Sequence, residues 1–165
     1  GHELVLQAMH EMRLAGKIVY YQIIGDGPHK AVIEAKVKEM ALEDQVSILG
    51  TQGEEAIVET LRNSDAFILP SFGAGEASPV SVMEAMAVGI PVIATYIGGV
   101  PDMIQDGIDG FLIPQKSYAA IIEVLNLMLS NMTLCEIVGK QARQTAMTSF
   151  DYRIKAKELD NYIRN

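Results

Sequence analysis

The chain has 165 residues, 49% of them hydrophobic and 21% charged, with a formal net charge of −8. That length supports one domain with a proper core, and the composition is that of an ordinary globular protein. The negative balance excludes a duplex nucleic-acid partner and strong attraction to an anionic membrane surface, and no apolar run reaches the ~18 residues of a spanning helix.

Residues 3–14 predict an amphipathic helix bearing Leu4, Leu6, Ala8, Met9 and Met12. Residues 17–24 (KIVYYQII) predict a strand closed by the turn 25–28 (GDGP). A helix over 29–42 should face Val32, Ile33, Ala35, Val37 and Met40 inward, and 46–49 is a short strand ending at Gly50. Helix 54–63 leads into strand 66–70 (AFILP), a glycine-bearing loop over 71–77, and helix 79–89. Strand 91–95 (PVIAT) precedes a helical turn over 100–104. Turn chemistry at 106–110 then leads into a last strand, 111–113. From 118 to 164 the pattern is three helices broken near Asn131 and Ser149, the second of them holding Cys135. A lone cysteine permits no internal disulfide, reads as a small buried hydrophobe, and fits a reducing, cytoplasmic setting.

Apolar strands alternating with helices predict an α/β fold, a doubly wound, Rossmann-like parallel sheet with extra helices at the C-terminus. The chain opens directly in a helix where such a sheet commonly begins with a strand. Residues 1–165 are therefore expected to be a single domain cut from a longer protein, without its first strand.

In open α/β sheets ligands gather at the carboxyl ends of strands. The richest loop there is the one before helix 79–89. Gly73 and Gly75 let backbone approach a ligand, Ser78 can cap the helix, and Pro79 suits its first position. The amides of Ser78, Val80 and Ser81, with the helix dipole, form a seat for phosphate, or simply end a surface loop. Glu76 in that loop could accept hydrogen bonds from a polyhydroxylated ligand or sit in solvent. Glu84, eight residues on, lies among Val80, Val82, Met83, Ala85, Met86, Ala87 and Val88 in a helix that reads as buried. A buried carboxylate needs a partner. Either a Lys or Arg of another element or a pair of vicinal ribose hydroxyls would serve. The turn 25–28 is only a weak dinucleotide signature, since Lys30 stands where a third glycine would be and strand 46–49 ends in Gly50 rather than an acid. A tight strand-to-helix turn is the plainer reading. His2, His10 and His29 show no metal-ligand spacing, and no nucleophile elbow is present.

Glu76 and Glu84 match the E-x7-E motif of retaining GT-B glycosyltransferases of family 4 (glycosyl transferases group 1). Further blocks resemble that family's donor-binding, C-terminal domain in the same order: GDGP at 25–28, a strand ending in ILG at 48–50, and SDAFILPS at 64–71. EAMAVGIPVIAT follows at 84–95, GGVPD at 98–102 and DGIDGFLIP at 106–114. The resemblance implies binding of a nucleotide-diphosphate sugar and transfer of that sugar with retention, needing no cofactor and no obligatory metal. It implies that Glu84 binds the ribose, with Gly25, Asp26, Leu49 and Gly50 also at the nucleotide. Glu76, the catalytic residue of the pair, would contact hydroxyls of the transferred sugar, with Gly75, Ala77, Ser78, Pro79, Val80 and Ser81 around the sugar and diphosphate. Its implied partners are the nucleotide sugar and a glycan or lipid-linked acceptor held by an N-terminal domain absent here, in bacterial capsule, exopolysaccharide or lipopolysaccharide biosynthesis. There are departures. Gly1 matches the glycine of the family's KG pair, so the Arg and Lys that grip the diphosphate would lie upstream; Asp102 stands for Glu, and Ala77 and Ser78 for Gly and Phe. The 165 residues are expected to be inactive alone, the alternative being a nucleotide-binding or scaffold domain whose parent lacks catalysis.

Overall fold

A computed structural model of the chain describes residues 1–73 and 76–164. Its helices are α1 (His2–Leu14), α2 (Lys30–Glu39), α3 (Glu54–Arg62), α4 (Val80–Val88), α5 (Tyr118–Ser130), α6 (Met132–Thr145) and α7 (Tyr152–Arg164). The strands are β1 (Tyr21–Ile24), β2 (Val46–Gly50), β3 (Phe67–Leu69), β4 (Val92–Thr95) and β5 (Phe111–Ile113). A 3-10 turn, Val100–Asp102, follows β4, and a π-helical turn, Ala146–Phe150, separates α6 from α7.

Every pairing between strands is parallel, β1 with β2 and β3 with β4 with β5. Parallel strands need crossovers, and the helices supply them on both faces. β4 shows this most plainly because all four of its residues are buried. Val92 and Ala94 pack with Leu61 of α3 and Val82, Ala85 and Met86 of α4. Ile93 points the other way, into a core with Leu6 and Met9 of α1, Ile33 of α2 and Ile121 of α5. Removing Val92 and Ile93 from water contributes about 1.5–3 kcal/mol each. The fold is α/β and doubly wound, as its sequence predicts.

The sheet is in two pieces. Among the described residues no strand pairing joins β1–β2 to β3–β4–β5, and the halves are held instead through the core that Ile23 of β1 shares with Ile93 of β4. β1 is also shorter than the predicted 17–24. β2 begins at Val46, opposite Tyr21, so residues 17–20 have no ladder on that side, and Ile18 and Tyr20 are exposed. In α2 only Ile33 and Val37 are buried, with Met40 beside them, while Val32 and Ala35 face solvent. Positions 33, 37 and 40 form one narrow stripe at helical spacing, and the other two apolar residues fall off it.

Local chemistry sets the element ends. Ser117 caps α5 by accepting from Ala120 N at 3.1 Å, and Asn131 caps α6 by accepting from Leu134 N at 3.0 Å. Buried Asp109 accepts from Gln105 N at 2.6 Å and from the Thr145 hydroxyl at 2.8 Å, tying the turn before β5 to α6. α4 stops at Gly89, whose φ of 92° lies in the left-handed region. There α6 comes in very close, for a Cβ at Gly139 would stand 2.3 Å from the Gly89 carbonyl oxygen. Gly139→Ala should therefore destabilise the fold by about 1–3 kcal/mol through overpacking against backbone. A urea titration checks this, with a lower midpoint at constant slope expected and an unchanged midpoint contradicting the close α4–α6 contact.

Candidate functional site

The loops leaving β3, β4 and β5 converge at the mouth of α4. The decisive contact is backbone on backbone. A Cβ on Gly98 would lie 1.6 Å from the Glu76 carbonyl oxygen, and one on Gly99 would lie 2.0 Å from that of Ala77. Gly98 also has a φ of 53°, and Gly99 N donates to Glu76 O at 3.2 Å. Only glycines allow the loop after β4 to approach so closely. Upstream, the buried Thr95 hydroxyl donates to Ser71 O at 2.5 Å. Gln115, in the turn after β5, clasps both loops: its Oε1 accepts from Gly73 N at 3.1 Å and its Nε2 donates to Tyr96 O at 3.0 Å.

The loop so held carries the first acid. Ser71 Oγ donates to Glu76 Oε1 at 2.7 Å, which leaves the second carboxylate oxygen without a partner among the described residues. Glu84 sits on the second turn of α4 and is half-buried. Its carboxylate makes no hydrogen bond or ion pair with any described residue. It is thus less deeply sunk than the run of apolar neighbours predicts. α4 buries only Val82, Ala85 and Met86, while Val80 is 64% exposed and Ala87 is exposed. One stripe of the helix enters the core, and Glu84 flanks it.

Ser78 does not cap α4. The N-cap is Pro79, and the Ser78 hydroxyl turns to Met103 Sδ at 3.8 Å. Pro79 has no N–H to place, and the first-turn amides of Val80 and Ser81 find no backbone acceptor among the described residues. Those two N–H groups and the positive end of the helix are a favourable place for an anion. Gly75 lies outside the described residues.

On the other side, Gly25 N donates to Gly50 O at 2.8 Å, joining the turns after β1 and β2. The Asp26 carboxylate accepts from Gly27 N at 2.9 Å, and Gln52 Nε2 donates to Leu49 O at 2.6 Å. The carbonyls of Leu49 and Gly50 are therefore both engaged within the protein. α1 bridges the halves of the site. Gly1 is pressed against the Pro70 carbonyl, and His2 reaches the Tyr21 hydroxyl with Nδ1 at 2.8 Å. Burial lowers the His2 pKa and raises that of Tyr21, so the imidazole is neutral and the phenol protonated. His2, Gln115 and Lys116, whose ammonium lies 5.3 Å above the Phe72 ring, are neighbours of the site that no local motif marks. No group of three or more metal-binding side chains is found among the described residues.

The profile of the glycosyl transferases group 1 family matches residues 1–145. The chain belongs to that family. It is 32% identical over 170 residues to a putative colanic acid biosynthesis glycosyltransferase, WcaL, of Salmonella typhimurium, covering 99% of this chain and 42% of that protein. To the amylovoran biosynthesis glycosyltransferase AmsK of Erwinia amylovora it is 31% identical, covering 96% of this chain and 40% of the relative. The chain thus spans about two fifths of the length of these relatives. In structure it matches Anabaena Alr3699/HepE, solved in complex with UDP-glucose, with a TM-score of 0.85 at 20% identity, over all of this chain and 45% of that one. It also matches a C-terminal domain of the group 1 protein LpcC from Francisella tularensis, with a TM-score of 0.75 at 24% identity, over 92% and 80% of the two chains. The fold is that of the GT-B glycosyltransferases.

Gly98→Ala tests the loop contact. Strain at positive φ and collision with backbone should lower stability by about 1–3 kcal/mol and displace the Glu76 amide resonance. An unshifted Glu76 amide would show that the two loops do not touch.

Proposed function

We propose that this chain is the donor-binding half of a retaining glycosyltransferase that uses a nucleotide-diphosphate sugar. The observation that carries the reading is Glu84: a half-buried carboxylate with no partner among the described residues, behind a loop fastened by Gly98 and Gly99, in a group 1 chain. A carboxylate left without a protein donor accepts two hydrogen bonds in one plane, which suits the vicinal hydroxyls of a ribose. From there the donor runs across the mouth of α4. The amides of Val80 and Ser81 and the helix dipole meet the diphosphate, and Glu76 offers its free oxygen to hydroxyls of the sugar. As the glycosidic bond breaks, negative charge gathers on the departing diphosphate, where preorganised N–H groups are most effective. No metal is assigned to that step.

The turns holding Gly25, Asp26, Leu49 and Gly50 enclose the nucleoside end, and Ala77, Ser78 and Pro79 shape the path of the backbone around the sugar. In this reading the acceptor, a glycan or lipid-linked glycan, is held by polypeptide outside these 165 residues. The WcaL and AmsK relatives, named for colanic acid and amylovoran biosynthesis, support exopolysaccharide assembly as the setting.

Two substitutions in the intact protein separate the roles. Glu84→Gln keeps the shape but makes a poorer acceptor, so donor affinity should fall by about 1–3 kcal/mol in a calorimetric titration. An unchanged Kd would remove Glu84 from the site. Glu76→Gln should instead lower kcat at least tenfold, roughly 1.4 kcal/mol of barrier, with little change in nucleoside diphosphate affinity. Equal loss of UDP, GDP or ADP binding would move Glu76 to the nucleotide.

A further inference from the structure

A cleft of about 230 Å³ lies between the start of α1 and the turn after β1, outside the mouth of α4. Ile23, Ile33, Ile48 and Pro28 give it apolar walls, and its rim carries both Asp26 and Lys30, whose charges offset one another. Apolar walls with a few polar groups at the edge fit an uncharged ring better than a phosphate. His2 lines this cleft.

The hydrogen bond behind His2 decides what it presents there. The Tyr21 hydroxyl is set inward, and among the described residues its one hydrogen-bond partner is His2 Nδ1 at 2.8 Å. Were Nδ1 the donor, the phenolic proton would be left buried without an acceptor. Tyr21 therefore donates, Nδ1 accepts, and the single proton of the neutral imidazole sits on Nε2. A partner behind the ring fixing which nitrogen faces forward is how histidines are commonly oriented in sites. Among the described residues Nε2 has no acceptor of its own.

We propose that His2 is a nucleoside-contacting residue, its Nε2–H donating to an uncharged acceptor oxygen on the nucleoside of the donor, seated in this cleft. The contact rests on the donor-binding reading above and adds to it a residue that neither acid supplies. It lies beside the turns of Gly25 and Gly50, which share a hydrogen bond, so cleft and turns form one continuous rim for the nucleoside end. Tyr21 acts through His2, as a positioning residue.

The test is calorimetry on the intact protein, first with UDP, GDP and ADP to find the nucleotide that binds. Binding of none of the three would overturn the donor-binding reading, and the His2 contact with it. With the nucleotide in hand, His2→Ala should weaken its binding about tenfold, and His2→Gln, which keeps a side-chain N–H, should come back to within about threefold of the parent. Inorganic pyrophosphate should bind both variants as it binds the parent. Nucleotide affinity unchanged in His2→Ala overturns the proposal while leaving the donor site standing, and so does an equal loss of pyrophosphate binding, which would place His2 on the phosphates. If His2→Ala does not fold, Tyr21→Phe carries the test, since it keeps the ring and frees the imidazole. A severalfold weaker nucleotide is expected, and parental affinity would overturn the contact.

Discussion

The site is organised by a place where two stretches of main chain touch with no side chain between them. Gly98 and Gly99 lie against the carbonyls of Glu76 and Ala77, and any larger residue would push the loops apart. That contact fixes where the loop enters α4, and thereby where Glu76 stands relative to Glu84 and the open amides of Val80 and Ser81. Thr95 from β4 and Gln115 from the turn after β5 brace the same loop upstream. Two neighbouring strands, β4 and β5, thus supply the tethers for the loop that leaves a third, β3. The fully buried β4 gives those tethers a rigid base.

Much of this was legible in the chain itself. β5 spans the predicted 111–113, and the glycine ending α4 is the predicted one, because short apolar runs and a positive-φ glycine are strong local signals. The pairing of Glu76 with Glu84 was readable as a spacing. The glycines at 98 and 99 were readable as a motif, though nothing in the sequence says that they lie against Glu76. What the sequence misjudged depends on neighbours. Residues 17–20 are as apolar as 21–24, yet strand length follows the partner, and β2 starts opposite Tyr21. Glu84 reads as deeply buried among apolar residues, but the number of such residues does not say how wide a stripe of α4 the core accepts. Ser78 is a good capping residue by type. Pro79 takes that position instead, and the hydroxyl turns toward Met103.

His2 and Gln115 show a different limit. Neither belongs to a local pattern, and each becomes informative only through a residue far along the chain, Tyr21 for one and Gly73 with Tyr96 for the other. Long-range hydrogen bonds of that kind leave no spacing to read. The division of labour follows from them: local motifs place the acids and the amides, and tertiary contacts orient the groups around them. A doubly wound sheet suits this arrangement, since parallel strands deliver all their carboxyl-end loops to one edge.

The most direct measurement is a crystal structure of the intact protein with its nucleoside diphosphate bound. Both ribose hydroxyls should lie within about 3.2 Å of the Glu84 carboxylate, with phosphate oxygens at the amides of Val80 and Ser81. A ribose seated elsewhere, or a Glu84 carboxylate turned to a lysine or arginine of the protein, would contradict the donor site described here.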